Sequence, residues 1–173
     1  MNLKKQRLVI ALAVITALTM TVSIVSGQNI QDKQSSVSSH ANERTIVGVW
    51  RTVVTVLNCQ TGDPVFSLPG LFTFNEGGTM AEYGIGPGSS PALRSPGHGL
   101  WQREHGWQRF STAFTYYRYN ASGVFIGSQK VMAALELGAS GNEFTTSSAI
   151  QVFDANDNLI GTACAKAAGT RFE

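Results

Sequence analysis

Charge is what this chain has least of. Asp, Glu, Lys and Arg make up 14% of its 173 residues, against roughly 25% in an average soluble protein. Three of the 13 basic residues, Lys4, Lys5 and Arg7, stand in the first seven positions, which leaves ten against 11 acidic ones. The formal charge of +2 therefore belongs to the N-terminus, and the rest of the chain carries no basic footprint for nucleic acid. Metal chemistry is short of ligands too. There are two Cys and three His, and no spacing of them with carboxylates brings three donors together, so no metal site and no cofactor is expected. No Gly-x-Ser-x-Gly occurs, which removes the hydrolase elbow. No stretch after the N-terminus combines helical periodicity with caps. What is abundant is Gly, with 18 residues, among many Thr, Ser and Val, a composition that favours strands joined by tight turns.

The N-terminus reads as a targeting segment. After its basic residues, Leu8–Val25 is an uncharged, mostly apolar run of 18 residues, and Val25-Ser26-Gly27 offers small residues for cleavage. Residues 1–27 are expected to be a signal peptide; the alternative is a retained anchor, since residues 8–25 just reach the length of a membrane span. No Cys follows the run to carry a lipid. Residues 28–44 are polar and Ser-rich, a linker too poor in apolar surface to order itself. Residues 45–173 form the folded domain. The expected location is secreted or periplasmic, or membrane-anchored by residues 8–25, and the membrane is met only through that segment. In an exported chain Cys59 and Cys164 are expected to form a disulfide, with two buried thiols as the alternative.

From Ile46 the pattern alternates strand and turn. Strands are read at Ile46–Leu57, Val65–Phe74, Thr79–Tyr83, Gly99–Glu104, Trp107–Tyr119, Val124–Leu137, Glu143–Phe153 and Leu159–Phe172. Asn75-Glu76-Gly77-Gly78, Asn120-Ala121-Ser122-Gly123, Ala139-Ser140-Gly141-Asn142 and Asp154–Asn158 supply turns, and Gly84–Gly97 is a long loop with Pro87, Pro91 and Pro96. The fold class is therefore all-β, a closed antiparallel up-and-down barrel of eight strands, because closure removes exposed edges. One antiparallel register between the first and last strands places Trp50 opposite Arg171 and sets Cys59 one diagonal step from Cys164. Those strands meet only if the sheet closes.

Alternation assigns the faces. Trp50, Thr52, Val54 and Val56 point in, as do Ala163, Ala165, Ala167 and Gly169 on the last strand. On the sixth strand Phe125, Val131, Ala133, Leu135 and Leu137 point in, with Lys130 and Glu136 outside. Tyr117 and Tyr119 share one face, and Tyr116 takes the other. The small inward residues either leave room for a ligand or offset large ones in the taper of the barrel.

Gly48-Val49-Trp50 on the first strand, with Arg171 at the end of the last, resembles the lipocalin and wider calycin pattern. That resemblance implies that Trp50 and Arg171 are structural. They would plug one end through a cation–π contact and leave the other end as the mouth of a cavity for small apolar ligands. The helix that precedes the last strand in lipocalins has no counterpart here, so the resemblance is to a calycin-like barrel of the bacterial envelope.

Candidate chemistry concentrates in Arg94–Trp107. His98 lies between glycines beside the long loop, where it would serve as a polar anchor or acid/base at the mouth, or as a loop histidine bonded to a carbonyl. Glu82 and Arg103, on neighbouring short strands, are read first as an ion pair. Asp154, Asn156 and Asn158 imitate the start of a calcium loop, but Leu159 and Ala165 stand where Gly and Glu are needed. Three functions follow. The first is a non-enzymatic barrel holding a small apolar or amphipathic ligand against Ala133, Leu135, Ala163, Ala165 and His98. The second is a structural or protein-interaction barrel with a filled core, where Val49, Val53 and Leu57 on the outer face hint at a homo-oligomer. The third is a cyclase- or isomerase-type enzyme with His98, Glu82 and Arg103 as its catalytic candidates.

Overall fold

The computed structural model describes residues 45–86 and 89–172. The signal peptide expected at 1–27 and the linker expected at 28–44 lie outside the described residues. Eight strands follow one another: β1 (Gly48–Leu57), β2 (Pro64–Phe74), β3 (Thr79–Gly84), β4 (Gly97–Arg103), β5 (Arg109–Tyr119), β6 (Phe125–Leu137), β7 (Glu143–Phe153) and β8 (Leu159–Arg171). Each pairs antiparallel with the next, and β8 returns to β1, so the sheet is a closed up-and-down barrel. No helix among the described residues is long and apolar enough to cross a membrane.

The seam between β1 and β8 has the register expected from the sequence. Trp50 faces Arg171 and Leu57 faces Cys164. Cys59, two residues beyond Leu57, reaches Cys164 as a disulfide with a Cα–Cα distance of 5.3 Å. At the other end of the seam the Arg171 guanidinium lies 4.3 Å from the Trp50 ring centroid. It donates to the carbonyls of Thr45, Val47 and Gly141 at 2.6–3.3 Å, and Trp50 Nε1 donates to Ile46 O at 2.9 Å. Gly48 makes this plug possible. Its φ is +134°, and a Cβ there would stand 2.8 Å from Arg171 Nη1.

This end is closed by aromatic packing. Trp50, Phe74, Phe110, Phe144, Ile46 and Leu137 are essentially sealed from solvent. Phe144 meets Trp50, Phe72 and Phe74 at ring-centroid distances of 5.0–6.1 Å, the offset and edge contacts that aromatic quadrupoles favour. The opposite end carries the β1–β2, β3–β4, β5–β6 and β7–β8 connections, and its strands bring in smaller side chains, including the buried Ala165 and Ala167.

Three of those open-end hairpins share a device. The ladder slips between Val56 and Leu57, between Arg118 and Tyr119, and between Val152 and Phe153. In each case the returning strand carries one unpaired extra residue: Val65, Ile126 or Ile160. These are β-bulges, and all three side chains are exposed, Ile160 at 60%. The bulge at Ile126 overturns one sequence expectation. Phe125 does not point into the barrel. The extra residue reverses its face, and it packs outside against Tyr117 and Tyr119 at centroid distances of 5.6 and 6.2 Å. Val49 and Val53 stand exposed on the outer face, and Leu57 is half-buried.

Candidate functional site

The interior of the open half holds a cavity of about 90 Å³. Strand alternation builds its walls. Ala133 from β6 and Ala165 and Ala167 from β8 form a small-residue side with Ile150 of β7 between them, and Phe72 and Phe114 also line the space. Alanine at inward positions leaves the space that the aromatic closed half fills. Polar side chains also reach it. Thr112 and Tyr116 come from β5, Ser148 from β7, Glu82 from β3, and Arg94 from the β3–β4 connection.

Glu82 is 4% exposed, inside the barrel where β3 faces Phe72 of β2 and Gly97 of β4. Its partner is Arg94. The expected pairing with Arg103 is corrected here, because Arg103 lies at the closed end of β4. There its guanidinium stacks 5.2 Å from the Phe110 ring and donates to Gly106 O. Arg94 instead folds back into the barrel from the loop. It forms an ion pair with Glu82 through Nη2, donates from Nη1 to Glu82 Oε1 at 3.4 Å and Gly84 O at 2.9 Å, and donates from Nε to Ser95 O at 3.2 Å. Its guanidinium also lies 3.6 Å from the Tyr116 ring centroid. Burial raises the Glu82 pKa above its ordinary value, and the Arg94 charge and hydrogen bond only partly offset it. Burial likewise raises Tyr116.

The other sequence candidates scatter. Ala133 and Ala165 line the cavity. Ala163 sits half-buried on the same face of β8 without lining it, and Leu135 is packed into the aromatic core at 2% exposure. His98 lies within β4 between Ala81 and Thr115, exposed on the outer face and away from the cavity. The structure thus does not bring His98, Glu82 and Arg103 together. From the sequence no site role was assigned to Arg94, Tyr116 or Thr112, although Arg94 opens the segment in which the candidate chemistry concentrates. Tyr116 carried a usable signal, since it shares a face with Phe114 and Thr112, which alternation places inside.

Arg94 gave less warning. It follows a single 3₁₀ turn at Pro91–Leu93 capped by Ser90 and then pairs with Arg118 as an isolated bridge, so the loop resumes the sheet before β4 begins.

A larger depression of about 800 Å³ lies outside the barrel over Leu100, Met132 and Gln102. It is open to solvent and cannot enclose most of a small molecule's surface, which specific small-molecule sites do. No group of three metal-ligating side chains occurs among the described residues. Chemically, the enclosed cavity offers an apolar compartment with hydroxyls on its walls and a neutralised ion pair at one side. The chain matches no protein-family model and no curated protein, so its functional reading rests on this geometry.

Proposed function

We propose that the protein is an exported calycin-like barrel that holds a small amphipathic molecule in the cavity of its open half. The cavity itself carries the reading: apolar walls of Ala, Val and Phe side chains enclose a space that also meets Glu82, Arg94, Tyr116 and Ser148. Such a mixture of apolar surface with a few convergent polar groups marks small-molecule sites. At about 90 Å³ the space falls below the roughly 300–1,000 Å³ of pockets for drug-sized ligands, so the guest is compact. The disulfide supports export, because such bonds persist in oxidising compartments. The N-terminal 27 residues would then be the signal peptide and residues 28–44 a linker.

The aromatic packing of the closed half supports a second reading, a structural barrel whose core is simply filled. Native mass spectrometry of the exported chain, before and after organic extraction, separates the two. A discrete extra mass that is lost on extraction supports the ligand-holding barrel. That mass should be absent from Ala165→Phe, in which the new ring occupies the space. A bare mass in the native protein, with no small-molecule probe stabilising it on heating, would leave the filled barrel.

A further inference from the structure

The open end of the barrel interior holds more positive charge than its partners neutralise. On β5 the inward positions Tyr116 and Arg118 follow Phe114 toward this end. Arg118 lies opposite Gly127 of β6. Gly127 has φ +130°, and a Cβ there would overlap the Phe153 carbonyl oxygen. Over this bare backbone Arg118 reaches the next strand, and its Nη2 donates to Phe153 O at 3.2 Å. That is the one hydrogen bond of its side chain among the described residues. Its Nε is sealed from solvent with no partner, and no carboxylate pairs with it among the described residues. Asp154, next to that carbonyl in sequence, turns its carboxylate into its own hairpin, accepting from Asn156 N and from Asn158 N and Nδ2.

Arg94 lies beside Arg118 through the isolated bridge, and its charge is matched by Glu82. Two guanidiniums thus face one carboxylate around Tyr116, whose hydroxyl makes no hydrogen bond among the described residues. The sealed Nε is closed to a guest as well as to water, so the Nη groups of the half-buried Arg118 are what an anion would meet, and guanidinium groups suit carboxylates. Arg94 and Tyr116 line the cavity together with Ala133, Ala165 and Phe114, whereas Arg118 is not part of that lining.

Building on the cavity reading, we infer that the guest is a small organic carboxylate, its head held by Arg118 and the Tyr116 hydroxyl and its compact apolar tail against the alanine wall. The carboxylate supplies the missing negative charge, and the hydroxyl donates to it.

The test is calorimetric titration of the full chain, disulfide intact, with benzoate, benzyl alcohol and acetate at neutral pH. Benzoate should bind about tenfold tighter than benzyl alcohol, as a charge-assisted hydrogen bond would provide, and acetate should bind weakest. In Arg118→Gln, the preference for benzoate over the alcohol should vanish; Arg118→Lys, which keeps the charge, should retain part of it. Equal binding of benzoate and benzyl alcohol to the native chain would overturn the carboxylate and leave the cavity reading standing. Acetate binding as tightly as benzoate would mean an anion site without a tail pocket and would also overturn it. Absence of binding by all three, with Ala165→Phe no different from the native chain, would remove the cavity reading and this inference together.

Discussion

Replacing Arg94 with Met strips the Glu82 carboxylate of its paired cation while leaving it inside the barrel. Breaking a buried pair from one side typically costs about 3 kcal/mol or more. Urea unfolding of Arg94→Met should show a loss of that order, and adding Glu82→Gln should restore most of it. The pH dependence has a defined sign. Burial raises the folded pKa of Glu82 above its ordinary 4.5, so the fold favours the protonated form. The stability Glu82 contributes is complete below pH 4.5 and is lost as pH rises through the folded value. Glu104 and Asp154 act in the opposite sense. Hydrogen bonds from Ser111 and from Asn158 hold them below their ordinary values, so what they contribute is lost on acidification. Comparing Glu82→Gln with the native chain isolates the first effect. The gap in unfolding free energy should grow in favour of the variant as pH rises above 4.5 and then level off; a gap that stays flat across that range would mean Glu82 is not strained by burial.

At the scale of strands and turns, alternation and turn chemistry were enough to place all eight strands within about two residues, because each strand is half buried and each turn is punctuated by Gly or Asn. The seam was legible for a different reason: two independent pairs, Trp50 with Arg171 and Cys59 with Cys164, demanded one register. The bulges were not legible. A single extra residue at Ile126 leaves the period-two pattern intact on either side, and only the neighbouring ladder shows that Phe125 has changed faces. The partner of Glu82 was hidden because a loop residue met it, and pairing rules reach only from strand to strand. The three bulges also separate two kinds of position. Gly127→Ala should cost about 3 kcal/mol or more, since the backbone conformation is strained for any other residue and the added atom meets a carbonyl. Ile160→Ser, on the exposed bulge one hairpin away, should stay within about 0.5 kcal/mol of the native chain. Denaturant midpoints for the two variants measure the contrast.

Across the whole molecule the disulfide joins residues 105 apart in sequence. In the chain-entropy model a loop of that length contributes about 4 to 5 kcal/mol by restricting the unfolded chain. Cys59→Ser with Cys164→Ser should lower the urea midpoint accordingly, and reductant should destabilise the native chain while leaving the double variant unchanged.

The place of that bond gives the chain an unusual connectivity. It ties the first strand to the last, so the polypeptide between the two sulfurs is a covalent ring with two tails. A single protease cut in the turn at Asn120–Val124 would open the ring without dividing the molecule. The nicked chain would run from β6 through β7 to Cys164 in β8, cross by sulfur to Cys59 just beyond β1, and finish at β5, with β1 and the end of β8 as branches. In covalent terms it would be a branched, circularly permuted barrel, made by one cleavage from a chain whose first and last strands already lie side by side.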